Sequence, residues 1–400
     1  MNVENKLHVL MLANKIDENR SFKNLFPLNL KCQNRIDFIR LNLLDEQGRL
    51  KDATDAAVSF HPHVIITVDS KGFSFRLLKQ LHAKFNQQGL YRPLHIHYVA
   101  PSFWAWKGGE ARLKGLTEFV DHVLCILPFE EQVCRSNGLA ATFVGHPILE
   151  DALGLTSGYD TPPNEWKMQG DGEGFRRKYR LSSGATIISV LPGSRLQEVS
   201  RMLPIFSDTM ELVKDSFPEL TTVIPIAPHQ QIEEYISTAI KTWPVPTILI
   251  SGGSAQLKYD AFSASTAAVS TSGTAALELQ LARLPCVVAY QAHFLTEWFI
   301  WYKAIIPYIS LPNILLNSPI IPEALFRRCT PTNVAAFLKQ VINVEATREK
   351  QICAAEEVLR LLQPQRRNLG PKEVTTKFDY YTPSMAAAST ILFSAKRSKS

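Results

Sequence analysis

A glycine turn followed by an arginine is the part of the chain best suited to chemistry: Leu-Pro-Gly-Ser-Arg-Leu-Gln-Glu at 191–198. The apolar, β-branched run 185–191 is typical of a buried parallel strand, and residues 198–210 have helix-compatible spacing. Gly193 permits close approach of a ligand to the backbone, and Arg195 can bind a phosphate oxygen at the helix N-terminus. The segment therefore predicts a phosphate-binding loop that includes Ser194. An ordinary strand-to-helix loop is the alternative.

A second segment of the same kind is Ser-Thr-Ser-Gly-Thr-Ala-Ala-Leu-Glu at 270–278. Its small hydroxyl residues and Gly273 again precede a predicted helix. Glu278 lies about one helical turn after Thr274, where its carboxylate could accept two hydrogen bonds from a ribose diol. Simple N-capping by Ser272 or Thr274 is the alternative. If both loops lie at the carboxyl edge of one parallel sheet, together they predict a nucleotide diphosphate site.

Residues of the first half also follow predicted strands. Asp69 ends the strand 64–68, where a general base would face the crevice, and capping of the next helix is the equal alternative. Trp104, Trp106 and Lys107 follow the next strand and are suited to packing a sugar or an acyl chain. Core packing is the more frequent fate of such aromatic side chains.

An aromatic segment at 294–303 has the composition of a helix that lies in a membrane interface, with Trp and Tyr residues and a flanking Lys303. We expect Trp298, Trp301 and Tyr302 to contact a membrane surface. A buried core helix is the equal competitor.

Composition limits the classes of protein that fit. Four hundred residues with 46% hydrophobic content suit two domains. The basic residues behind the net charge of +6 are scattered, which makes an anionic ligand or a membrane surface a better partner than nucleic acid. The six cysteines form no Cys-x-x-Cys pair, and the two His-x-His pairs lack acidic or Cys companions, so no disulfide framework, metal or cofactor is predicted. No apolar run reaches the ~18 residues that span a bilayer.

Strand candidates alternate with helix-like stretches in two series, which predicts an α/β protein of two Rossmann-like halves. The predicted strands are 64–68, 95–100, 123–127 and 142–144 in the first half, and 186–191, 222–226, 247–250, 268–270 and 287–290 in the second. The predicted domains are an N-terminal domain over 1–153, a linker with an exposed insertion over 154–184, a C-terminal domain over 185–345, a helix over 346–362 and a disordered tail over 363–400.

Six segments together resemble the lipid-A-disaccharide synthase family, in particular its plant branch: 98–106, 127–130, 143–146, 191–195 with Glu198, 272–278 and 308–313. They recur in family order across roughly residues 60–362. The resemblance implies a glycosyltransferase B fold and inverting transfer, with UDP-2,3-diacylglucosamine as donor and 2,3-diacylglucosamine 1-phosphate as acceptor. The products would be the β-1,6-linked disaccharide 1-phosphate of lipid A biosynthesis and UDP.

The resemblance also implies roles for single residues. Asp69 matches the family's catalytic aspartate and would remove the proton from the acceptor 6-hydroxyl. Arg195 would stabilise the UDP leaving group together with the two helix N-termini, without a metal. The matching nucleotide-side residues are Gly193, Ser194, Arg195, Glu198, Ser272, Gly273, Thr274, Glu278 and Asn313.

Two departures from the family pattern shape the remaining expectations. The family's opening Gly-Glu-x-Ser-Gly-Asp loop is absent after the early strand 7–12, and Gly72 stands where bacterial members have a second Asp. We therefore expect an N-terminally divergent or truncated member that is active only weakly. The alternatives are another UDP-GlcNAc-using transferase or epimerase of this fold, or an impaired isoform that acts as a binding protein. Plant members point to a membrane-associated mitochondrial location, with the cytoplasm as the alternative because no presequence is evident; a homodimer is left open.

Overall fold

The computed structural model describes residues 7–14, 36–43, 48–150, 170–217, 219–271, 273–364 and 382–397. The chain divides into two compact units, one formed by Met1–Asp151 with Leu362–Ser400 and the other by Ala152–Leu361. Each unit is built on one six-stranded sheet whose strand pairs are all parallel. The predicted α/β class with two Rossmann-like halves is confirmed.

The first unit carries a sheet in the order β2-β1-β3-β4-β5-β6. All five residues of the strand 64–68 are buried, as expected when helices cover both faces of a parallel sheet. Leu77, Leu81 and Phe85 of one helix are buried against one face. The elements are β1 (Leu7–Asn14), β2 (Ile36–Leu43), α1 (Gly48–Phe60), β3 (Val64–Val68), α2 (Lys71–Gln87), β4 (Leu94–Tyr98), a 3-10 turn (Ser102–Ala105), α3 (Gly109–Leu116), β5 (His122–Cys125), α4 (Pro128–Ser136) and β6 (Ala141–Phe143).

The C-terminal segment belongs to this first unit. The prediction of a disordered tail is wrong for Pro383–Arg397, which forms a helix, labelled α14 below. Ala387 and Ile391 of this helix are buried in the core that covers the second face of the sheet. The Glu150 carboxylate fixes the start of the helix, since its Oε1 accepts a hydrogen bond from the Ser384 backbone N–H at 2.7 Å. The first unit therefore contains chain from both sides of the second.

The second unit carries a sheet in the order β12-β11-β10-β7-β8-β9. Five of its strands were predicted, whereas the three-residue β12 was not, nor was β2 of the first unit. Its elements are α5 (Gly172–Lys178), β7 (Ile187–Leu191), α6 (Leu196–Val213), β8 (Thr221–Pro225), α7 (Gln230–Ala239), β9 (Thr247–Ile250), α8 (Ala255–Ala264), β10 (Ala267–Ser270), α9 (Thr274–Leu281), β11 (Cys286–Tyr290), α10 (Phe294–Lys303), α11 (Leu311–Leu316), β12 (Glu323–Leu325), α12 (Pro331–Asn343) and α13 (Glu345–Leu362), followed by α14 (Pro383–Arg397) of the first unit.

Two predicted features fall partly outside the described residues. The predicted linker and insertion over 154–184 is described only from residue 170, where Asp171 caps α5 by accepting a hydrogen bond from the Gly174 N–H at 2.7 Å. Phe175 of α5 is buried in the second unit. The early strand is β1, and residues 15–35, where the family's opening motif was sought, lie outside the described residues.

Candidate functional site

Two glycine loops lie side by side at the carboxyl edge of the second sheet. β7 and β10 are neighbouring parallel strands, with Leu191 opposite Ser270 in the register. The Thr271 N–H donates a hydrogen bond to the Leu191 carbonyl at 3.1 Å, which ties the two strand ends together. Because α6 and α9 begin just beyond these ends, the structure brings both predicted phosphate-binding segments together, as the sequence predicted.

The side-chain carboxylate of Glu198 covers the first glycine loop. Gly193 has a left-handed φ of 116°, and a Cβ at this position would lie 2.3 Å from Glu198 Oε2. The same oxygen accepts a hydrogen bond from the Ser194 N–H at 3.2 Å. The left-handed backbone favours glycine here, and Glu198 packs over it, whereas the sequence analysis explained this glycine by close approach of a ligand. Arg195 is exposed and occupies the N-cap position of α6.

The second loop leaves a helix N-terminus accessible. Gly273 is the N-cap residue of α9, with φ of 109°, and Thr274 is exposed at the first helical position. Ser272 lies outside the described residues. Among the described residues no side chain caps this helix, so the N-capping alternative is not realised by Thr274. The backbone N–H groups of the first turn favour an anion at this position.

Glu278 is buried and bound by a lysine that the sequence analysis missed. The carboxylate oxygen Oε2 lies 2.9 Å from the Lys258 ammonium nitrogen, and both side chains are about nine-tenths buried. Lys258 comes from α8, twenty residues earlier, where it occupies a helix position with no sequence feature that predicts a partner on α9. The ion pair places a fixed carboxylate one helical turn into α9.

Asn313 has a structural role rather than the predicted contact with UDP. Its side chain is fully buried in the described structure. Oδ1 accepts hydrogen bonds from the N–H groups of Ile320 at 3.0 Å and Ile321 at 2.9 Å. Nδ2 donates to the Ile321 carbonyl and to Glu323 Oε1, each at 2.8 Å. These four bonds use the whole hydrogen-bonding capacity of the amide, so Asn313 joins α11 to β12 instead of facing a ligand.

Asp69 is exposed at the carboxyl end of β3 in a strained backbone. Asp69 and Ser70 are successive left-handed residues, with φ of 40° and 43°. The Ser74 hydroxyl donates to the Asp69 carbonyl at 2.7 Å, and the Asp69 N–H donates to the Tyr98 carbonyl at 2.9 Å. Within the described chain the N-cap position of α2 is Ser70, and no side chain caps it. The capping alternative for Asp69 is thus not realised, and strain of this kind is typical of functional sites.

Burial holds three histidines of the first unit neutral. The His97 Nδ1 atom lies 2.9 Å from the Thr67 hydroxyl oxygen, and burial lowers the pKa of His97 to about 3. Burial likewise lowers the pKa of His95 and of His146 to about 4. These side chains therefore supply neither a proton nor a positive charge near neutral pH. Over the described ranges no cluster of three His, Cys, Asp or Glu side chains is placed to hold a metal ion.

The predicted aromatic groove residues are partly buried and one of them is firmly held. Trp104 Nε1 donates to Glu130 Oε1 at 3.0 Å, and its ring packs edge-on against Phe129 with centroids 4.7 Å apart. Burial raises the pKa of Glu130 to about 7. Trp106 is half-buried and Lys107 is exposed. Glu130 ends the motif 127–130, but nothing in the sequence predicts that it binds Trp104.

The aromatic helix α10 is exposed. Trp298 is 64% and Trp301 80% exposed, and the Trp298 ring stacks on that of Tyr302 at a centroid distance of 6.0 Å. The buried-helix alternative is therefore wrong for the side chains that the structure describes. None of the helices described is both long and apolar enough to cross a bilayer. The six large apolar side chains exposed on and just beyond α10 are Leu295, Trp298, Phe299, Trp301, Tyr302 and Ile305.

Comparison with solved structures supports the same architecture. The UDP-GlcNAc 2-epimerase of Neisseria meningitidis, solved with UDP-GlcNAc bound, matches with a TM-score of 0.58 over 88% of this chain and 98% of its own. Its sequence is 11% identical, so the likeness shows the fold alone. The fold is that of the glycosyltransferase B class.

Sequence comparison reaches much closer relatives. A protein of Arabidopsis thaliana named "Probable lipid-A-disaccharide synthase, mitochondrial" is 55% identical over 94% of this chain and 82% of its own length. The lipid-A-disaccharide synthase of Rhodospirillum centenum is 40% identical over 78% of this chain and 72% of its own length. The family model described as Lipid-A-disaccharide synthetase matches residues 47–376, which include both glycine loops and Asp69. The chain belongs to the lipid-A-disaccharide synthetase family.

Proposed function

We propose that this chain is an inverting glycosyltransferase that joins UDP-2,3-diacylglucosamine to 2,3-diacylglucosamine 1-phosphate. The products are the β-1,6-linked disaccharide 1-phosphate and UDP. Family membership supports the reaction, and the observation that carries the nucleotide side is the pairing of two glycine loops at neighbouring strand ends. Parallel α/β sheets bind their ligands at this edge.

The nucleotide side stabilises the departing diphosphate. The exposed Arg195 guanidinium donates charge-assisted hydrogen bonds to phosphate oxygens. The start of α9, which no described side chain caps, adds backbone N–H donors. When the bond between the anomeric carbon and the phosphate oxygen breaks, the electron pair leaves with UDP. Because these hydrogen-bond donors are already oriented before the bond breaks, they stabilise the negative charge that develops on the diphosphate in the transition state.

The acceptor side needs a base. Asp69 is exposed at a strand end, and the Ser74 hydroxyl and Tyr98 carbonyl hold its backbone in place. We propose that its carboxylate accepts the proton of the acceptor 6-hydroxyl. The oxygen of that hydroxyl then attacks the anomeric carbon from the face opposite UDP. A single displacement of this kind inverts the configuration at that carbon.

The test compares two Asp-to-Asn variants of the same unit. Asp69→Asn is expected to bind UDP like the wild type while turnover falls by a factor of about 10² or more, because the amide cannot accept the proton. Asp52→Asn, at an exposed position of α1, is the matched control and is expected to leave turnover unchanged. Turnover of Asp69→Asn equal to that of the control would show that Asp69 is not the base.

We further propose that α10 docks the enzyme on an anionic membrane. Both substrates carry acyl chains, and interfacial docking avoids their complete transfer into water. The exposed side chains of α10 are accompanied by positive charge, because Lys303 ends the helix and Arg327 and Arg328 are exposed next to Cys329. Burial, and after it the negative charge of Glu297 on α10, raises the pKa of the Cys329 thiol to about 12.

Co-sedimentation with liposomes that contain anionic phospholipid tests the docking proposal. We expect the wild type to sediment with the vesicles, less so as salt is added, and the double variant Trp298→Ser with Trp301→Ser to remain largely in solution. Tyr91→Ser removes an aromatic ring that is 64% exposed elsewhere and is the matched control. Full sedimentation of the folded double variant would rule out this helix as the membrane contact.

We also infer a mitochondrial location, which rests on the name of the Arabidopsis relative. The measurement is fluorescence microscopy of the full-length protein, tagged at its C-terminus, with a mitochondrial marker. Fluorescence that excludes the marker would contradict the inference.

A further inference from the structure

A buried ion pair joins α8 to the helix that starts at the second glycine loop. The Lys258 ammonium nitrogen lies 2.9 Å from Glu278 Oε2, with side-chain exposures of 10% and 11%. The same nitrogen lies 5.0 Å from the ring centroid of Tyr259 and 6.0 Å from that of Phe262. The two rings pack edge to face with centroids 5.6 Å apart. Lys258 is therefore held between a carboxylate and a rigid aromatic surface.

The energetics of burial explain why such a pair persists. A buried carboxylate is costly unless a partner of opposite charge lies against it, and removal of one partner leaves an uncompensated charge. Lys258 lies against the nine-tenths buried Glu278 carboxylate and restricts its orientation. Replacing the pair by apolar residues often costs a protein no stability, so stability alone does not account for this pair.

The position of the pair points to the nucleotide. Glu278 lies one helical turn after Thr274, on the helix whose N-terminus adjoins the phosphate-binding loop. A carboxylate accepts hydrogen bonds more strongly than a neutral amide, and its two oxygens match the two hydroxyls of a ribose. A ligand that lacks one hydroxyl loses one of these hydrogen bonds, and sites that bind a substrate hydroxyl in this way reject such analogues strongly.

Building on the proposed function, we propose that Lys258 is a positioning residue that makes Glu278 the group that recognises the ribose. The Lys258–Glu278 pair thereby selects UDP over 2′-deoxy-UDP. Lys258 acts through Glu278 and needs no contact of its own with the nucleotide.

Calorimetric titration with UDP and with 2′-deoxy-UDP tests the proposal. The wild type is expected to prefer UDP by about tenfold or more, which is the range for a hydrogen bond to a charged group. Lys258→Met is expected to lower the affinity for UDP by about tenfold and to leave that for 2′-deoxy-UDP within about twofold. Lys258→Arg is expected to retain most of the preference. Lys178→Met is the matched control, because Lys178 is exposed and lies 5.4 Å from the Tyr179 ring centroid.

A double variant distinguishes loss of ribose recognition from misfolding caused by a buried unpaired charge. Lys258→Met combined with Glu278→Gln contains no buried unpaired charge, so it is expected to fold while showing weak UDP binding and no preference. A preference retained in either Met variant, or an equal loss for both nucleotides, would overturn the role of Lys258. A wild type that binds both nucleotides equally would overturn ribose recognition and leave the phosphate loop intact. A wild type that binds neither would contradict the proposed function itself.

Discussion

Replacing Asn313 with alanine separates a structural role from contact with the nucleotide. The substitution removes four hydrogen bonds and leaves the Ile321 N–H without a partner. The Ile320 N–H keeps its second acceptor, the Ser318 carbonyl, at 2.9 Å. Ile321 is fully buried, so water does not readily replace the lost acceptor. A buried donor left unpaired costs about 1–3 kcal/mol, and each of the other three lost hydrogen bonds contributes about 0.5–1.5 kcal/mol. We expect a loss of about 4 kcal/mol in the free energy of unfolding of the second unit, a decrease in Tm of roughly 10 °C for a unit of this size.

Differential scanning calorimetry with UDP titration below the transition provides the assay. The expected result for Asn313→Ala is the lower Tm, with a Kd for UDP within about twofold of the wild type. Asn333→Ala is the matched control: Asn333 Nδ2 donates to the Arg328 carbonyl at 2.9 Å, but the residue is exposed, and we expect its Tm to fall by less than about 3 °C. A variant at 313 that melts like the wild type and binds UDP tenfold more weakly would refute the structural role.

Three further outcomes follow from the site geometry. Arg195→Ala is expected to weaken UDP binding by about tenfold or more, since a charge-assisted hydrogen bond contributes about 1.5–3 kcal/mol; an unchanged Kd in calorimetry would contradict this. Ser74→Ala removes the hydrogen bond that holds the Asp69 carbonyl and is expected to lower kcat about tenfold with little change in UDP affinity, whereas an unchanged kcat would exclude a positioning role. Burial raises the pKa of Glu130 from 4.5 to about 7, so the folded state binds this proton more tightly than the unfolded state. This stabilisation is therefore present below pH 4.5 and is lost as the pH rises through 7. Relative to Glu130→Gln, the free energy of unfolding of the wild type in urea is expected to rise by roughly 2–3 kcal/mol from pH 8 to pH 5. The same dependence of unfolding free energy on pH in both proteins would contradict the raised pKa.

Much of the fold could be predicted because buried parallel strands are local signals. The apolar runs that end at Val68, Leu191 and Ser270 were all found from sequence. The three-residue strand Glu323–Leu325 is too short to show a period, and α14 is rich in alanine, so its burial depends on tertiary contacts with the first sheet. A helix whose buried face consists of small residues has a weak hydrophobic signal, which explains the mistaken prediction of disorder.

The chemistry of the site was only partly predictable for a related reason. Glycine and a nearby arginine predict a phosphate loop locally, but the sequence does not reveal that Glu198 packs over Gly193. Lys258 and Glu278 meet only through the packing of α8 near α9, and Asn313 is fixed by a strand that was not predicted. Exposure of Trp301 likewise depends on what the rest of the unit leaves uncovered. Composition identified that helix, and only the structure distinguished a surface position from a core position.

Mass spectrometry of the products tests the central claim most directly. The full-length chain is incubated with UDP-2,3-diacylglucosamine and 2,3-diacylglucosamine 1-phosphate, and in a parallel reaction with UDP-GlcNAc alone. The account predicts release of UDP together with a tetra-acylated disaccharide 1-phosphate in the first reaction, and unchanged UDP-GlcNAc in the second. Epimerised UDP-GlcNAc, or UDP binding without any disaccharide, would contradict it.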